Sequence, residues 1–230
     1  GAGGPLAVLF MAIFAAECGK AVSKETKVDI LVTPLVTILV GVGLSAPVAP
    51  AIGTAASSIG DFVKWATIQQ PFLMGILVSV VVGIALTLPI SSAAICAATG
   101  LTGLAGGAAV AGCCAQMVGF AVISFRENKW GGVVAQGIGT SMLQMPNIVR
   151  KPIIWIPAIL SSAILGPVST AVLKMVSTPT GSGMGTAGLV GPFETYTAMV
   201  GNNVDSIVVL VEIALMHFVL PGLLAFGICE

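Results

Sequence analysis

Long uncharged runs separated by short clusters of charge make up this chain. A helix needs about 20 apolar residues to cross the hydrocarbon core of a bilayer, and several runs reach that length. Gly1 to Cys18 predicts the end of one spanning helix, closed by Glu17 and Lys20. A polar loop, Gly19 to Asp29, follows with Lys20, Lys24 and Lys27. Ile30 to Leu44 is β-branched and apolar and predicts a second span, stopped by Pro47 and Pro50. Ala51 to Ala66 mixes small, polar and apolar residues, with Asp61, Lys64 and Trp65 near its end. That mixture predicts an amphipathic helix lying in the membrane interface, with Asp61 at the headgroup level. From Trp65 to Phe125 there is no charge, which leaves room for two helices. The first covers about Pro71 to Leu88 and breaks at Pro89, before Ser91 and Ser92; the second covers about Thr99 to Phe125. The second pairs small residues four apart (Gly103 with Gly107, Ala108 with Gly112, Ala115 with Gly119), a spacing that lets helix backbones approach closely.

Beyond Arg126, Glu127 and Lys129, read as an aqueous loop, the pattern changes. Trp130 to Val149 is uncharged but rich in Gly and holds Gln136, Thr140, Ser141, Gln144 and Asn147, too polar for a lipid-facing span. Pro152 to Leu173 is a clear span ended by Lys174. Ser177 to Tyr196 is again dense in Gly and Pro and carries one carboxylate, Glu194. Asn202, Asn203 and Asp205 predict a turn, and Ile207 to Ile228 a last span interrupted by Glu212, His217 and Pro221. Gly and Pro at such density cannot sustain a continuous helix. Lipid tolerates irregular backbone only where protein or a water-filled cavity covers it. The two broken segments, at about 130–149 and 177–196, are therefore expected to be re-entrant hairpins that meet near mid-membrane and line a polar site, as the broken helices of secondary transporters do.

Composition agrees with this picture and narrows it. The 230 residues are 57% hydrophobic and 8% charged, whereas a soluble domain carries about 25% charged residues. Formal net charge is zero and no basic patch is present, so nucleic acid is not an expected partner. Cys18, Cys96, Cys113, Cys114 and Cys229 have no metal-ligand spacing and read as small buried hydrophobes without a disulfide framework. No nucleotide, metal or nucleophile motif occurs, so no cofactor is expected. The chain begins inside an apolar run, without Met or a charged leader, which suggests that membrane segments upstream are absent. Alternating the spans places Lys64, Arg126, Lys129, Arg150 and Lys151 on one face and Lys20, Lys24, Lys27 and Lys174 on the other; the first is expected to be cytoplasmic.

Two groups of motifs carry a resemblance. One is Lys-Val-Asp-Ile-Leu-Val-Thr-Pro-Leu-Val-Thr-Ile (27–38), Leu-Pro-Ile-Ser-Ser (88–92) and Gly-Leu-Thr-Gly-Leu-Ala-Gly-Gly-Ala (100–108). The other is Gln-Met-Pro-Asn-Ile-Val-Arg-Lys-Pro (144–152), Ala-Ile-Leu-Gly-Pro (163–167) and Gly-Met-Gly-Thr-Ala-Gly-Leu-Val-Gly-Pro (183–192). Over about residues 5 to 205 the chain resembles bacterial phosphotransferase-system sugar permease subunit IIC, in the stand-alone branch of which some members are called membrane toxin regulators. The resemblance implies an all-α, elevator-type permease in the bacterial plasma membrane. It implies a homodimer, with scaffold-type helices and an amphipathic linker at 1–66 and a transport-type domain at 67–230. It also implies separate subunit IIB and IIA partners, because the chain holds neither phosphocysteine nor phosphohistidine domain and is not read as catalytic alone.

In better-known relatives a Gly-x-x-Glu-Pro motif on a hairpin supplies a carboxylate for sugar hydroxyls. Gly-Pro-Phe-Glu (191–194) matches it loosely, with Thr195 in place of Pro, and makes Glu194 the first candidate ligand with Thr195 beside it. A carboxylate accepts charge-assisted hydrogen bonds from two or more hydroxyls. Gln144 and Asn147 can donate and accept at once, as a polyol requires, or can satisfy the hairpin's own backbone. Thr140, Ser141 and Ser91, with Ser92, are further hydroxyl candidates; Ser and Thr often bond back to helix carbonyls instead. The relatives also use a His of the transport domain; the one His here, His217, lies on the last span and reads as a packed polar residue. The expected function is permeation of a sugar or other small polyol; the alternative is a solute-sensing membrane regulator that transports nothing.

Overall fold

The computed structural model describes residues 4–25 and 28–229. Among these the chain is helical throughout, with one isolated antiparallel bridge, Gly103 to Ser177. It divides into two compact units, Gly1–Ile59 and Gly60–Glu230. Among the described residues four helical stretches are long and apolar enough to cross a membrane: Asp29–Gln69, Gly103–Ile123, Pro152–Val172 and Ser206–Cys229.

The first unit holds α1 (Gly4–Val22) and the first part of α2 (Asp29–Gln69). Thr26 and Lys27, placed in the predicted polar loop, lie outside the described residues. Pro47 and Pro50 do not stop the second helix. They lie inside α2 together with Pro34, and the helix runs for 41 residues, so the expected interfacial helix is its continuation rather than a separate element. A Pro leaves the carbonyl four residues earlier without its donor, and Ser and Thr hydroxyls can satisfy freed carbonyls within a membrane helix. The carbonyls freed by Pro47 and Pro50 are those of Gly43 and Ala46; the nearby hydroxyl bonds, Ser45 Oγ to Val42 O at 2.8 Å and Thr54 Oγ1 to Pro50 O at 2.9 Å, go to neighbouring carbonyls instead.

The second unit is built around α5 (Gly103–Ile123), which is buried along nearly its whole length. It packs on α3 (Pro71–Thr87), on the helix from Pro152 to Val172 that contains α8 (Ile156–Pro167), and on the last helix. The small residues explain the close fit. A Cβ on Gly107 would overlap the Met175 carbonyl, and one on Gly112 would overlap the Ser79 carbonyl.

The break expected at Pro89 opens a third broken segment before α5, and it holds a short helix that the sequence did not predict. The chain turns at Leu88 to Ser91, forms the short α4 (Ser92–Thr99) capped by Ser91, and leaves it through Gly100 at φ +60°. Cap and left-handed glycine are ordinary helix-end signals that the apolar composition of the run conceals.

Arg126, Glu127 and Lys129, expected in a loop, belong instead to the exposed helix α6 (Phe125–Val134), with a kink at Lys129 (φ +51°). A π turn, Ala135–Gly139, then gives way to extended backbone at Thr140, a 3-10 turn at Ser141–Gln144, and α7 (Met145–Arg150). The second broken segment runs from extended Ser177 and Thr178 through α9 (Pro179–Ser182) and a tight turn into α10 (Val190–Gly201). In that turn Gly185 and Gly188 both have φ near +54°, a region that favours glycine, and Gly185 packs directly on Cys113. The tips of the two segments touch, Ala135–Gly139 against Ala187–Leu189.

The last helix is continuous rather than interrupted. It joins α11 (Ser206–Ile213) to α12 (Leu220–Cys229) through a π turn at Ala214–Val219. Pro221 cannot donate to the carbonyl four residues back, and a π bulge is one way a helix accommodates that loss.

Candidate functional site

Glu194 sits in the second turn of α10, half-buried. Its Oε2 accepts from Thr178 Oγ1 at 2.7 Å. The Thr178 hydroxyl also caps α9, accepting from Gly181 N at 3.3 Å. Gly181 is crowded against Glu194, where an added Cβ would come within 2.5 Å of Glu194 Cβ. The carboxylate is thus anchored through one oxygen, and Oε1 has no protein hydrogen bond among the described residues. Thr195 points inward, fully buried, with Oγ1 donating to Ser177 Oγ at 3.4 Å.

Two further bonds lock this hairpin to α4 and the start of α5. Ser182 Oγ donates to Leu101 O at 2.8 Å, and Ser92 Oγ donates to Gly183 O at 2.7 Å. Ser91 is exposed and spends its hydroxyl on the cap, accepting from Ala94 N at 3.2 Å.

The first hairpin carries a chain of amides. Asn147 Nδ2 donates to Gln144 Oε1, Gln144 Nε2 to Gln136 Oε1, and Gln136 Nε2 to Ser124 Oγ, each at 2.9 Å. Gln144 is buried and Asn147 exposed. Both line a cleft with Ser124, Glu127, Arg150 and Lys151, so the beginning and the end of the hairpin return to one place. Thr140 caps the 3-10 turn, accepting from Met142 N at 3.2 Å.

Ser141 opens a second, fully buried network. Its Oγ lies 2.9 Å from Thr87 Oγ1, which donates to Gln116 Oε1 at 3.3 Å. Trp155 Nε1 donates to the same Oε1 at 2.9 Å, and Gln116 Nε2 to Ser162 Oγ at 3.4 Å. Gln116 therefore ties hairpin, α3 and α8 to α5. Replacing it by Leu strands the Trp155 donor, while Thr87 keeps Gly83 O and Ser141 Oγ within reach, at a cost of about 1–3 kcal/mol for the orphaned group. Gln116→Leu is expected to lower the melting temperature by several degrees in detergent; an unchanged melting curve would remove this network from the hairpin's support.

The sequence candidates thus fall into two places. Glu194, Thr195 and Ser91 belong to the assembly of α4, α9 and α10, while Gln144, Asn147, Thr140 and Ser141 belong to the first hairpin. The hairpin tips are in contact, but no hydrogen bond joins the two groups among the described residues, and Glu194 does not line the cleft that Gln144 and Asn147 share. Sequence reasoning missed Thr178, Gln136 and Gln116. Thr178 was findable, because a Thr directly before Pro179 is a helix-start signature.

His217 is buried in the π turn with Nδ1 unpartnered among the described residues, and Glu212 Oε2 is likewise unpartnered. Asp61 is exposed and pairs with Lys64 at 2.7 Å. Among the described residues no three His, Cys, Asp or Glu side chains are grouped to hold a metal ion.

No curated protein and no solved structure matches the chain. A family model described as "Phosphotransferase system, EIIC" matches residues 1–230. With helices of spanning length and two folded-back broken segments, the chain belongs to the phosphotransferase-system EIIC family and is a multi-pass membrane permease of that system.

Proposed function

We propose that this protein carries a sugar or other small polyol across the bacterial plasma membrane, with Glu194 as the principal acceptor of solute hydroxyls. The supporting observation is the half-used carboxylate: Thr178 holds one oxygen of Glu194 at 2.7 Å and leaves the other open. An anchored acceptor with a free oxygen suits a neutral polyol, because bonds to a charged group are roughly twice as strong as neutral ones. Thr195 and Ser91 support the same locus, through Ser177 and through the start of α4. Gln144, Asn147, Thr140 and Ser141 we assign to the companion hairpin, which they hold in shape while presenting amide groups to its mouth.

Movement is of the elevator type in this reading. Residues 67–230 carry the solute, residues 1–66 belong to a scaffold, and two copies form the working unit. Phosphorylation of the solute falls to separate subunit IIB and IIA proteins. A thermal-shift screen of the purified protein against sugars and polyols tests the binding claim, and uptake of the best ligand into proteoliposomes tests transport. Binding without uptake would replace the permease by a solute sensor.

Both hairpin tips are expected deep in the bilayer. A spin label at Ile138, next to Gly139, should report oxygen accessibility typical of the bilayer middle, and so should one at Leu189, near Gly185. Collision with a water-soluble relaxant at either position would end the re-entrant reading.

A further inference from the structure

We propose that two adjoining clefts in the second unit hold one anionic glycerophospholipid, its phosphate beside Arg150 and Lys151 and its acyl chains along two apolar walls. The first cleft has a volume of about 860 Å³ and joins Arg150 and Lys151 to a wall that includes Phe120, Ile153, Ile154 and Ile228. The second, about 850 Å³, runs along Val122, Phe125, Val133 and Phe226 and includes Arg126 and Trp130. They share Ile123 and Cys229, so two apolar grooves adjoin, with Arg150 and Lys151 on one and Arg126 on the other.

Charge and shape both select this occupant. Three cations, Arg126, Arg150 and Lys151, line the two clefts against one carboxylate, Glu127. The ion pairs among the described residues are Lys20–Glu17 and Lys64–Asp61, so among these residues none of the three cations is held in an ion pair. Basic pockets between membrane helices are suited to anionic headgroups. A free phosphate or a phosphorylated polyol would engage the cations but leave the apolar walls uncovered, whereas a diacyl lipid covers both grooves. Trp130 is 73% exposed and stands edge-on to Phe125 at 5.4 Å, as an aromatic at headgroup level would. Glu194 lines neither cleft, so this site is apart from the proposed Glu194 locus; Gln144 and Asn147 line the first cleft, where their amides face the lipid's polar end.

The test is native mass spectrometry of the detergent-purified full chain with phosphatidylglycerol or phosphatidylcholine of identical acyl chains. Phosphatidylglycerol is expected to bind several-fold tighter. Arg150→Gln with Lys151→Gln should weaken it about fivefold for each cation removed, roughly 25-fold together. Ile153→Asn keeps the cations and alters an exposed wall residue (69% accessible), and it too should weaken the lipid without lowering the melting temperature in phosphatidylcholine. Equal affinity for the two lipids, or an unchanged affinity in Ile153→Asn, would overturn the proposal. Stabilisation by inorganic phosphate or glycerol 3-phosphate as large as that by the lipid would overturn it as well, reducing the site to one for the anion alone.

Discussion

Glu194→Gln is expected to weaken solute binding by roughly 10- to 100-fold while leaving expression and assembly close to wild type. Thr178 donates to one carboxylate oxygen, so the Gln carbonyl can keep that anchor and the side chain can keep its place. The amide NH2 then takes the position of the open oxygen, where it donates but no longer accepts. Hydrogen bonds to a charged group contribute about 1.5–3 kcal/mol against about 1 for neutral ones. Losing that difference over two solute hydroxyls amounts to about 1–4 kcal/mol, which brackets the stated range at about 1.4 kcal/mol per tenfold. Glu194→Ala should be worse, because the solute hydroxyls then lose the acceptor altogether. Thr178→Val should be milder, since it keeps the charge and frees the carboxylate to wander. Isothermal titration of the three variants with the best ligand of the sugar screen decides the matter. Equal affinities for wild type and Glu194→Gln would take Glu194 out of the site and leave Gln144 and Asn147 as candidates.

Gly112→Val is expected to prevent recovery of folded protein. Gly112 faces the α3 backbone, and an added Cβ overlaps the Ser79 carbonyl. Gly83, on α3, is packed in return on the carbonyl of Gly112. Both walls are main chain, so no rotamer change can relieve the clash, and α3 and α5 must separate. Ser162 of α8 also bridges the two helices, its carbonyl accepting from Ser79 Oγ at 2.8 Å and its Oγ donating to Gly112 O at 3.2 Å, and the separation strains that bridge. Overpacking alone costs about 1–3 kcal/mol, and the lost contacts of a fully buried helix push the total beyond what a marginally stable protein tolerates. Gly227→Ala is the control: a Cβ there meets nothing within 4 Å. Fluorescence-detected gel filtration should show a monodisperse peak for Gly227→Ala and aggregate for Gly112→Val. A monodisperse Gly112→Val with wild-type melting would refute the packing argument.

How much was legible beforehand differs by element. The runs Pro71–Leu88 and Pro152–Leu173 and the turn at Asn202 were readable because lipid imposes one requirement, about 20 apolar residues between polar ends. The two broken segments were readable from Gly and Pro density, since no neighbour can make such a segment a regular helix. Pro47, Pro50 and Pro221 misled for the opposite reason. A proline's effect depends on whether its freed carbonyl finds another donor or the helix widens, and that is a property of surroundings, not of the residue. The helix α4 was hidden because in an apolar run composition does not distinguish a short buried helix from the start of a span.

By itself, then, the amino-acid sequence determined the membrane class, the helical fold, the family through its Gly-rich motifs, and the choice of Glu194 as a residue to weigh. These depend on composition and short-range spacing, which the bilayer and the backbone read locally. Only the tertiary structure decided that Thr178 holds one oxygen of Glu194, that Ser141 and Trp155 converge on Gln116, and that Gln144 and Asn147 open on a cleft apart from Glu194. Each of those pairings joins residues that the chain keeps well apart or that a turn must fold back. Their geometry follows from which helices pack on α5, where the absence of side chains at Gly107 and Gly112 lets backbones touch.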